Sequence, residues 1–532
     1  MPFGLLLVRL IVAGVFLHAA SVALAGGGAA IIVAAALGLF SGLLAFGLGT
    51  RFAAAALLPA LLFVPAGSGD DAGLLLGLLL AALLTRGGGA LALDRLLAAR
   101  LVRLFPSLGT DVGWLEGVPR VVIVGAGFGG VAAARALKHA WAQVTLIDRR
   151  NYHLFQPLLY QVATASLSPS EIATPIRTLL RGHPNCRVTM ARVTGVDVNA
   201  REVITADRRI GFDYLVLACG ARHSYFSRDD WEAAPGLKKI DDATAIRARI
   251  LSAFERAETA ENVEERRRLL SFVIVGGGPT GVELAGAIAE LARHGMRGDF
   301  RSVDPAQARV ILVQSASRLL PAMAEPLSAR ARCSLETLGV EVRTGAKVEE
   351  IDHEGVRIGN ERIEAATVLW AAGVMASPAA RWLGADRDGS GRIVVQTDLS
   401  VPGQATIFAI GDTAACKGAD GKPLPGLAPV AKQQGYYVAR HIRADIEGRR
   451  PPGPFRYSDW GSMATIGRKA AVADLRRLHL TGSVAWWLWG AVHVGFLVDA
   501  RSRAAVLLDW LWSYLTWGRS VRLITGNEGG VD

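Results

Sequence analysis

The chain has 532 residues, which is long enough for two or three domains. Hydrophobic residues make up 51% of it and concentrate near both ends, a pattern typical of a membrane protein. The net charge of +11 does not indicate nucleic-acid binding, because no Lys/Arg run is interleaved with aromatic residues. The cysteines are scattered without CxxC spacing, so we expect neither a disulfide framework nor a metal site. They are Cys186, Cys219, Cys333 and Cys416.

The N-terminal segment, residues 1–105, is predicted to be a transmembrane module of four helices. No Asp, Glu, Lys or Arg occurs in residues 10–50. The length of this uncharged stretch is about twice the roughly 20 residues that one crossing needs. Two more apolar segments follow at residues 52–65 and 72–85. The flanking charges divide into two groups: Arg51, Arg86, Arg95, Arg100 and Arg103 on one side, Asp70 and Asp71 on the other. The positive-inside rule then places the rest of the chain in the cytoplasm.

Two features refine the interpretation of this segment. A signal peptide ending near Ala25 is disfavoured, because its first residues are nearly uncharged and apolar sequence resumes at once. His18 is the one ionisable residue inside the predicted spans, so proton pumping is not expected. With Arg9 and Gly14 near its start and GGGALALD at residues 87–94, the segment resembles the DoxX family of small quinone-associated membrane proteins.

The segment RVVIVGAGFGG, residues 120–130, places a GxGxxG motif between a predicted strand and an Ala-rich helix. Gly125 permits a tight turn, Gly127 lets the backbone approach a pyrophosphate, and Gly130 lets the helix pack on the strand. Asp148 ends the next strand, where a carboxylate accepts hydrogen bonds from the adenosine ribose. This pattern predicts a bound dinucleotide.

A second copy of the motif occurs in SFVIVGGGPTGVELAG, residues 271–286. Its glycines are Gly276, Gly278 and Gly281. The residue at the second ribose position is Gln314, whose neutral amide can bond a ribose hydroxyl without repelling the 2′-phosphate of NADPH. The two motifs therefore predict two dinucleotides, and selectivity for NADH over NADPH is not expected to be strict.

A third motif, IFAIGD at residues 407–412, is a predicted strand that ends in Gly411 and Asp412. In flavoproteins with two dinucleotides such an Asp binds the ribityl chain of FAD, so Asp412 is the candidate here. Gly220 and Gly373 lie in short segments that look like crossovers between the two units. The expected fold is an α/β flavoprotein with Rossmann-like FAD and NAD(P) units, the second inserted within the first. The expected boundaries are 119–230 and 381–450 for the FAD domain and 231–380 for the NAD(P)H domain.

From about Pro119 to Ile524 the chain resembles the type II NADH:quinone oxidoreductases, the single-subunit alternative NADH dehydrogenases. The matching stretches are NYHLFQPLLYQ at residues 151–161, GVELAG at 281–286 and APVAKQQG at 428–435. The resemblance implies hydride transfer from NAD(P)H to FAD, then transfer of two electrons and two protons to a membrane quinone, usually without proton pumping. Two departures are Gln314, where the family usually has Glu, and Pro429, where many members have Gln.

The resemblance also implies four catalytic candidates. Glu283 matches a family Glu near the junction of nicotinamide and flavin, where a carboxyl could relay protons; a solvent-facing Glu is the alternative. Lys432, Gln433 and Gln434 match the region that lines the quinone site, where an ammonium would stabilise a quinone oxyanion. The alternative is a helix packed under the flavin with its Lys at the surface.

The C-terminal region, residues 451–532, is predicted to dock on a membrane because it combines aromatic residues with arginines. These are Trp486, Trp487, Trp489, Trp510, Trp512, Tyr514 and Trp517, with Arg501, Arg503, Arg519 and Arg522. A tryptophan core is the alternative interpretation. We expect the lipid bilayer as a partner, a location at the bacterial inner membrane and catalytic domains that face the cytoplasm. A homodimer is one assembly that the resemblance allows.

Two other functions stay open. A sulfide:quinone reductase also uses FAD at a membrane, but it depends on active cysteines and needs no intact nicotinamide motif. A disulfide reductase, by contrast, is disfavoured, because it requires a close cysteine pair, which the chain lacks. A non-catalytic membrane redox sensor would bind FAD and NAD(H) without reducing a quinone, and the presence of both Glu283 and Lys432 favours an enzyme instead.

Overall fold

The computed structural model describes residues 2–24, 29–46, 50–59, 76–83, 117–226, 228–476, 478–519 and 521–525. The chain divides into two compact units, an N-terminal unit, Met1–Gly113, and a larger unit, Trp114–Asp532. Each unit has its own buried apolar cluster within the described residues.

The N-terminal unit contains helices Pro2–Leu24, Ala29–Phe46 and Thr50–Leu57 and a helical stretch at residues 76–83. Among these described stretches, no helix combines the length and the apolarity that a membrane crossing requires. The third helix, for example, has eight residues and is about 12 Å long. The prediction of four membrane-spanning helices is therefore not supported. The charges from Asp70 to Arg103 that oriented those spans lie outside the described residues.

The first sheet of the larger unit has six strands. In spatial order they are Ser400–Val401, Gln404–Ala409, Tyr214–Leu217, Arg120–Val124, Gln143–Asp148 and Cys186–Met190. All pairs are parallel except the first, which is antiparallel. Val121 and Ile123 belong to the core on one face, and Val122 and Val124 to the core on the other. Burial on both faces explains why residues 121–124 of strand Arg120–Val124 form an unbroken apolar run.

The second sheet has four parallel strands: Val340–Thr344, Arg309–Gln314, Ser271–Val275 and Thr367–Trp370 in spatial order. The chain enters this part of the unit through strand Ala221–His223 and leaves it through strand Val374–Ala376. These two strands pair antiparallel and directly follow Gly220 and Gly373. The second sheet is thus formed by residues that lie, in sequence, between strands of the first sheet.

Helices cover both sheets, and three of them carry the candidate site. The first fingerprint helix is Phe128–Ala136, the second fingerprint helix is Pro279–Glu290, and the lysine helix is Ala428–Ile446. The other α-helices of this part are Leu159–Ala163, Pro169–Ile172, Ile176–Leu179, Ile240–Thr259, Val263–Leu269, Glu325–Thr337 and Ala379–Leu383. Small sheets complete it: Tyr152–Leu154 with Ala173–Pro175; Val193–Asp197, Glu202–Thr205 and Arg209–Gly211; Val348–Ile351, Gly355–Ile358 and Glu361–Glu364; Ile393–Val394 with Ala414–Ala415.

The C-terminal region forms a three-stranded sheet and two tryptophan-rich helices. The strands are Ser462–Gly467, Ala470–Leu475 and Leu478–Thr481, and the helices are Gly482–Phe496 and Ala500–Thr516. The sheet packs so closely on the second fingerprint helix that a Cβ on Gly286 would overlap the carbonyl of Ile466. Trp489 is 3% exposed and stacks on Trp510, whereas Trp487 is 62% exposed. The tryptophans therefore divide between a core and a surface.

Candidate active site

The first glycine turn leaves an open space in front of a helix N-terminus. A Cβ on Gly125 would overlap the carbonyl of Ala218, and one on Gly130 would overlap the carbonyl of Gly125 itself. Gly125 also has a φ of +107°, which favours glycine. Gly127, by contrast, has no heavy atom within 4 Å of its Cβ position. No side chain caps the first fingerprint helix, so its first N–H groups can bind a phosphate group.

The second glycine turn repeats this geometry. Gly276 has a φ of +115° and its Cβ would stand 2.7 Å from the backbone of Ala371. A Cβ on Gly281 would overlap the carbonyl of Gly276, while Gly278 faces open space. Both turns therefore form a cradle that fits the pyrophosphate of a dinucleotide and that side chains would fill.

Asp148 and Gln314 occupy equivalent positions beside these cradles. The N–H of Ala126 donates to Asp148 Oδ2 over 2.7 Å, and the N–H of Gly277 donates to Gln314 Oε1 over 3.0 Å. Each side chain thus holds the second residue of its turn. Since Gln314 accepts through its oxygen, its NH₂ group remains a hydrogen-bond donor, which a carboxylate at that position would not provide.

Gln434 contacts the turn that carries Asp412 and is not among the residues that line the cavity around Lys432. Its side chain is 1% exposed, and its Oε1 accepts a hydrogen bond from the N–H of Gly411 over 2.6 Å. Gly411 has a φ of +63°, so this bond stabilises a left-handed turn. In this position Gln434 fixes the Asp412 turn. The catalytic role that we predicted for it stays a prediction.

Gln433 is also committed to the backbone. Its Nε2 donates to the carbonyl of Ser458 over 2.8 Å, and the N–H of Ser458 donates to its Oε1 over 2.9 Å. These reciprocal bonds tie the lysine helix to the segment that leads into the C-terminal region. Of the three residues predicted for the quinone site, Lys432 lines the cavity that lies between the first fingerprint helix and the lysine helix.

Gly220 and Gly373 lie at the two crossovers, and Gly220 is close to the Asp412 turn. The N–H of Gly220 donates to Thr413 Oγ1 over 3.0 Å. Gly373 has a φ of +91°, and its Cβ would stand 2.6 Å from the ring of Phe226. Lys238 also lies near this turn: burial lowers its pKa, and the charge of Asp412 opposes that shift. Nothing in the sequence pattern had pointed to Lys238.

A cavity of about 120 Å³ lies between the first fingerprint helix, the lysine helix and the junction of the two tryptophan-rich helices. It is lined by Phe128, Val131, Ala132, Arg135, His153, Lys432, Tyr436, Gly495, Phe496, Leu497, Val498 and Arg503. None of these described residues is Asp or Glu. The cavity is therefore apolar in part and positively charged, which suits an acceptor that gains negative charge.

Lys432 is held over an aromatic ring in this cavity. Its Nζ lies 4.5 Å from the ring centroid of Phe496, a cation–π contact. Burial lowers the pKa of Lys432, and the charge of Arg135 lowers it further. Sequence reasoning had missed Arg135, although it follows Phe128 by seven positions and so faces the same side of the helix.

His153 forms the inner wall of the cavity. Its Nδ1 lies 2.8 Å from the carbonyl of Ala126 in the first glycine turn, and its ring contacts Phe128 edge to face. Burial lowers the pKa of His153 despite the hydrogen bond to Ala126. The cavity is thus in direct contact with the turn that forms the first cradle.

Glu283 lies on the second fingerprint helix, two residues after Gly281, and is partly buried. Burial raises its pKa well above the usual value, and a hydrogen bond to the backbone of Thr465 opposes this only in part. Burial therefore favours the protonated form of this carboxyl more than it would for a solvent-facing Glu.

Comparison with known proteins agrees with this geometry. Residues 119–435 match the family model of the pyridine nucleotide-disulphide oxidoreductases, and residues 460–520 match the NDH2 C-terminal domain. The type II NADH:quinone oxidoreductase Ndh of Mycobacterium tuberculosis is 43% identical over 425 residues, which cover 77% of this chain and 91% of the relative. The chain belongs to the type II NADH:quinone oxidoreductases. The predicted family is thereby confirmed.

Other relatives and solved structures extend the comparison. Demethylphylloquinone reductase NdbB of Synechocystis is 30% identical, covering 74% of this chain and 96% of the relative. NDH2 of Plasmodium falciparum, solved in complex with NADH, superposes with a TM-score of 0.70 at 22% identity, covering 76% of this chain and 99% of that one. This likeness confirms the predicted flavoprotein fold. Neither matched family model includes residues 1–113, so the DoxX resemblance stays a prediction.

Proposed function

We propose that this chain oxidises NADH, passes the electrons through FAD and reduces a quinone in the cavity that Lys432 lines. The observation that carries this proposal is the contact between the cavity and the first glycine turn through Phe128 and His153. An acceptor in the cavity would be adjacent to a dinucleotide held by that turn. Membership of the type II NADH:quinone oxidoreductases supports the same reaction.

The residues around the two cradles suit the two nucleotides. FAD, when bound, supplies the chemistry that accepts a hydride and delivers electrons to the acceptor. We assign to FAD the residues Gly125, Gly127, Gly130, Asp148, Gly220, Gly411 and Asp412. We assign to NADH the residues Gly276, Gly278, Gly281, Gln314 and Gly373. Gln434 contributes by holding the Asp412 turn in place.

Lys432 and Glu283 provide charge and protons. The Lys432 ammonium would stabilise negative charge that develops on a quinone oxygen, and its lowered pKa makes it a better proton donor than an ordinary lysine. Burial raises the pKa of Glu283 and so favours its protonated form, on the helix that follows the second glycine turn. The two groups lie on different helices, the lysine helix and the second fingerprint helix.

Anaerobic stopped-flow absorbance tests the proposed function. We expect NADH to bleach the flavin absorbance of the purified protein and a soluble ubiquinone analogue to restore it. Bleaching that no quinone reverses would favour a redox sensor or another acceptor. Absence of bleaching by both NADH and NADPH would contradict the oxidoreductase function.

We also propose that the protein works at a lipid bilayer, on the cytoplasmic face of a bacterial inner membrane. Support comes from the exposed apolar side chains of the last helix, which include Leu508, Leu511 and Leu515. The apolar N-terminal unit would be a second attachment. Deletion of the residues before Pro119 should weaken membrane attachment; unchanged attachment and quinone turnover would exclude that role. A homodimer is a further proposal, which light scattering of the detergent-solubilised protein tests.

A further inference from the structure

The corner between the two tryptophan-rich helices forms one wall of the cavity around Lys432. Residues 497–499 connect helix Gly482–Phe496 to helix Ala500–Thr516. The corner, residues 495–498, lines the cavity along its whole length. The contacts that fix the corner therefore also fix the shape of the cavity.

Arg503 holds this corner with two hydrogen bonds. Its Nε donates to the carbonyl of Leu497 over 3.0 Å, and its Nη2 donates to the carbonyl of Gly495 over 3.2 Å. The last carbonyls of a helix have no partner within that helix, so a guanidinium at this place satisfies them. The two accepting residues lie on either side of Phe496. One side chain thus fixes the backbone both before and after that ring.

Asp499 fixes the start of the helix that carries Arg503. Its Oδ1 accepts a hydrogen bond from the N–H of Ser502 over 2.9 Å, and its Oδ2 accepts one from the hydroxyl of Thr174 over 2.7 Å. Thr174 is the register partner of His153, which forms the inner wall of the cavity. Arg503 therefore reaches the corner from a helix end that is itself anchored beside the cavity.

Phe496 is the residue of the corner that contacts the Lys432 ammonium. Lys432 Nζ lies 4.5 Å from the centroid of the Phe496 ring, which also packs on Trp460 with ring centroids 5.9 Å apart. A cation is attracted to the face of a ring, so the contact depends on the direction in which the ring points. The backbone bonds from Arg503 maintain that direction.

The ring of Phe496 acts on Lys432 in the opposite sense to its other neighbours. The charged or titratable side chains that line the cavity with Lys432 are Arg135, His153, Tyr436 and Arg503. Burial lowers the pKa of Lys432, and the charge of Arg135 lowers it further. A ring face favours the ammonium form and so raises the pKa. Loss of the contact with Phe496 should therefore lower the pKa of Lys432 further.

We propose that Arg503 is a positioning residue for quinone reduction, which keeps Phe496 against the Lys432 ammonium by binding the carbonyls on both sides of that ring. The inference rests on the proposed function, in which Lys432 acts on a quinone in the cavity. Because Arg503 acts through Phe496, its removal should have the same effect as removal of the ring. Neither change should affect the reduction of the flavin by NADH.

A double-mutant cycle in the full-length, FAD-loaded protein, with a soluble ubiquinone analogue, tests this role. Arg503→Gln and Phe496→Leu should each lower quinone turnover about tenfold, and the double variant should be no slower than either single variant. Bleaching by NADH should keep its wild-type rate in all three. Arg440→Gln is the control, because Arg440 is an exposed residue of the lysine helix that does not line this cavity, and it should keep wild-type turnover.

The pH profile separates positioning from a simple effect of charge. Loss of the ring contact lowers the pKa of Lys432, so the alkaline decline of quinone turnover should begin at lower pH in Arg503→Gln and in Phe496→Leu. Removal of a nearby positive charge alone would raise the pKa of Lys432 and move the decline to higher pH. A decline of Arg503→Gln at unchanged or higher pH, or additive losses in the double variant, would overturn the role of Arg503.

A second variant covers the case in which Arg503→Gln does not retain FAD. Arg503→Lys keeps a cation but loses the planar fork that binds two carbonyls, and it then takes the same place in the cycle. A loss of quinone turnover that is not additive with Phe496→Leu supports the role of Arg503, and wild-type turnover overturns it.

The failure of the proposed function would look different from the failure of this inference. If the wild type is bleached by NADH and reoxidised by ferricyanide but by no quinone, the proposed function fails and the role of Arg503 fails with it. If the wild type reduces quinone and Arg503→Gln does so equally well, the role of Arg503 alone is overturned.

Discussion

The two glycine turns have the same backbone geometry, but different groups pack against the helices that follow them. The first fingerprint helix contributes Phe128 and Arg135 to a cavity with cationic side chains. The second carries Glu283 and Glu290, partly buried carboxyls whose pKa values burial raises. The repeated fold therefore explains nucleotide binding, whereas the difference between a cationic side and an acidic side comes from the side chains on each helix and their neighbours.

The largest expected effects come from filling either cradle. Gly130→Ala should abolish FAD retention, because its Cβ would overlap the carbonyl of Gly125. Gly281→Ala should leave FAD bound and abolish fast bleaching by NADH, since the overlap is with Gly276 in the second turn. The ratio of flavin to protein and the stopped-flow bleaching rate measure the two outcomes. Gly453→Ala, which meets nothing within 4 Å, is the control. Identical FAD retention and identical bleaching rates in Gly130→Ala and Gly281→Ala would contradict the assignment of the two turns to different dinucleotides.

Removing the cavity ammonium should have the next largest effect. Lys432→Met should lower quinone turnover about a hundredfold and leave bleaching by NADH unchanged, because the ammonium acts on the developing charge of the acceptor. Lys422→Met, on an exposed loop, is the control. Steady-state turnover with a soluble quinone and single-turnover bleaching measure the two steps. A loss of bleaching equal to the loss of turnover would contradict the assignment.

The pH dependence sharpens this prediction. The lowered pKa of Lys432 means that its positive charge is present at low pH and is lost as pH rises through a value below that of an ordinary lysine. Quinone turnover should therefore decline on the alkaline side earlier than for a free lysine. Lys432→Arg, which keeps its charge, should move this decline to higher pH; an unchanged profile would exclude Lys432 as the titrating group.

Gln314→Glu should have a smaller effect: it should lower the ratio of NADPH use to NADH use about tenfold. A carboxylate can still accept the hydrogen bond from Gly277, so the turn is preserved, but it would repel a 2′-phosphate. Bleaching rates with the two nucleotides give the ratio. Gln307→Glu, on a surface turn, is the control. An unchanged ratio would show that position 314 does not set the choice.

The sequence predicted the parts of the fold that depend on local pattern. The apolar runs at Arg120–Val124 and Ser271–Val275 are strands. Of the glycines that follow them, Gly125, Gly130, Gly276 and Gly281 have the positive φ or the close contacts that their spacing indicated, and Gly127 and Gly278 face open space. Such features follow from the backbone requirements of one turn, and a single stretch of chain contains them all.

The sequence could not predict which side chains meet across long separations. Tyr160 and Trp510 meet through Gln161, although 349 residues separate Gln161 from Trp510. Gln434 was assigned to the acceptor site through the family resemblance; a helix turns by about 100° per residue, and Gln434 points away from Lys432 to accept a hydrogen bond from Gly411. The apolar composition of the N-terminal residues predicted membrane spans, whereas no helix among the described residues combines the length and the apolarity of a crossing.

The tryptophans of helix Gly482–Phe496 give the smallest predicted effect. Trp487 is exposed, whereas Trp489 is buried against Trp510. We therefore expect Trp487 to contact the membrane and Trp489 to stabilise the core. Trp487→Ser should raise the KM for a long-chain quinone in vesicles about fivefold and leave the KM for a soluble analogue unchanged, because less apolar surface enters the lipid. Trp489→Ser should instead lower the melting temperature and impair both substrates. If Trp487→Ser changed both KM values equally, its side chain would act on the acceptor cavity and not on the bilayer.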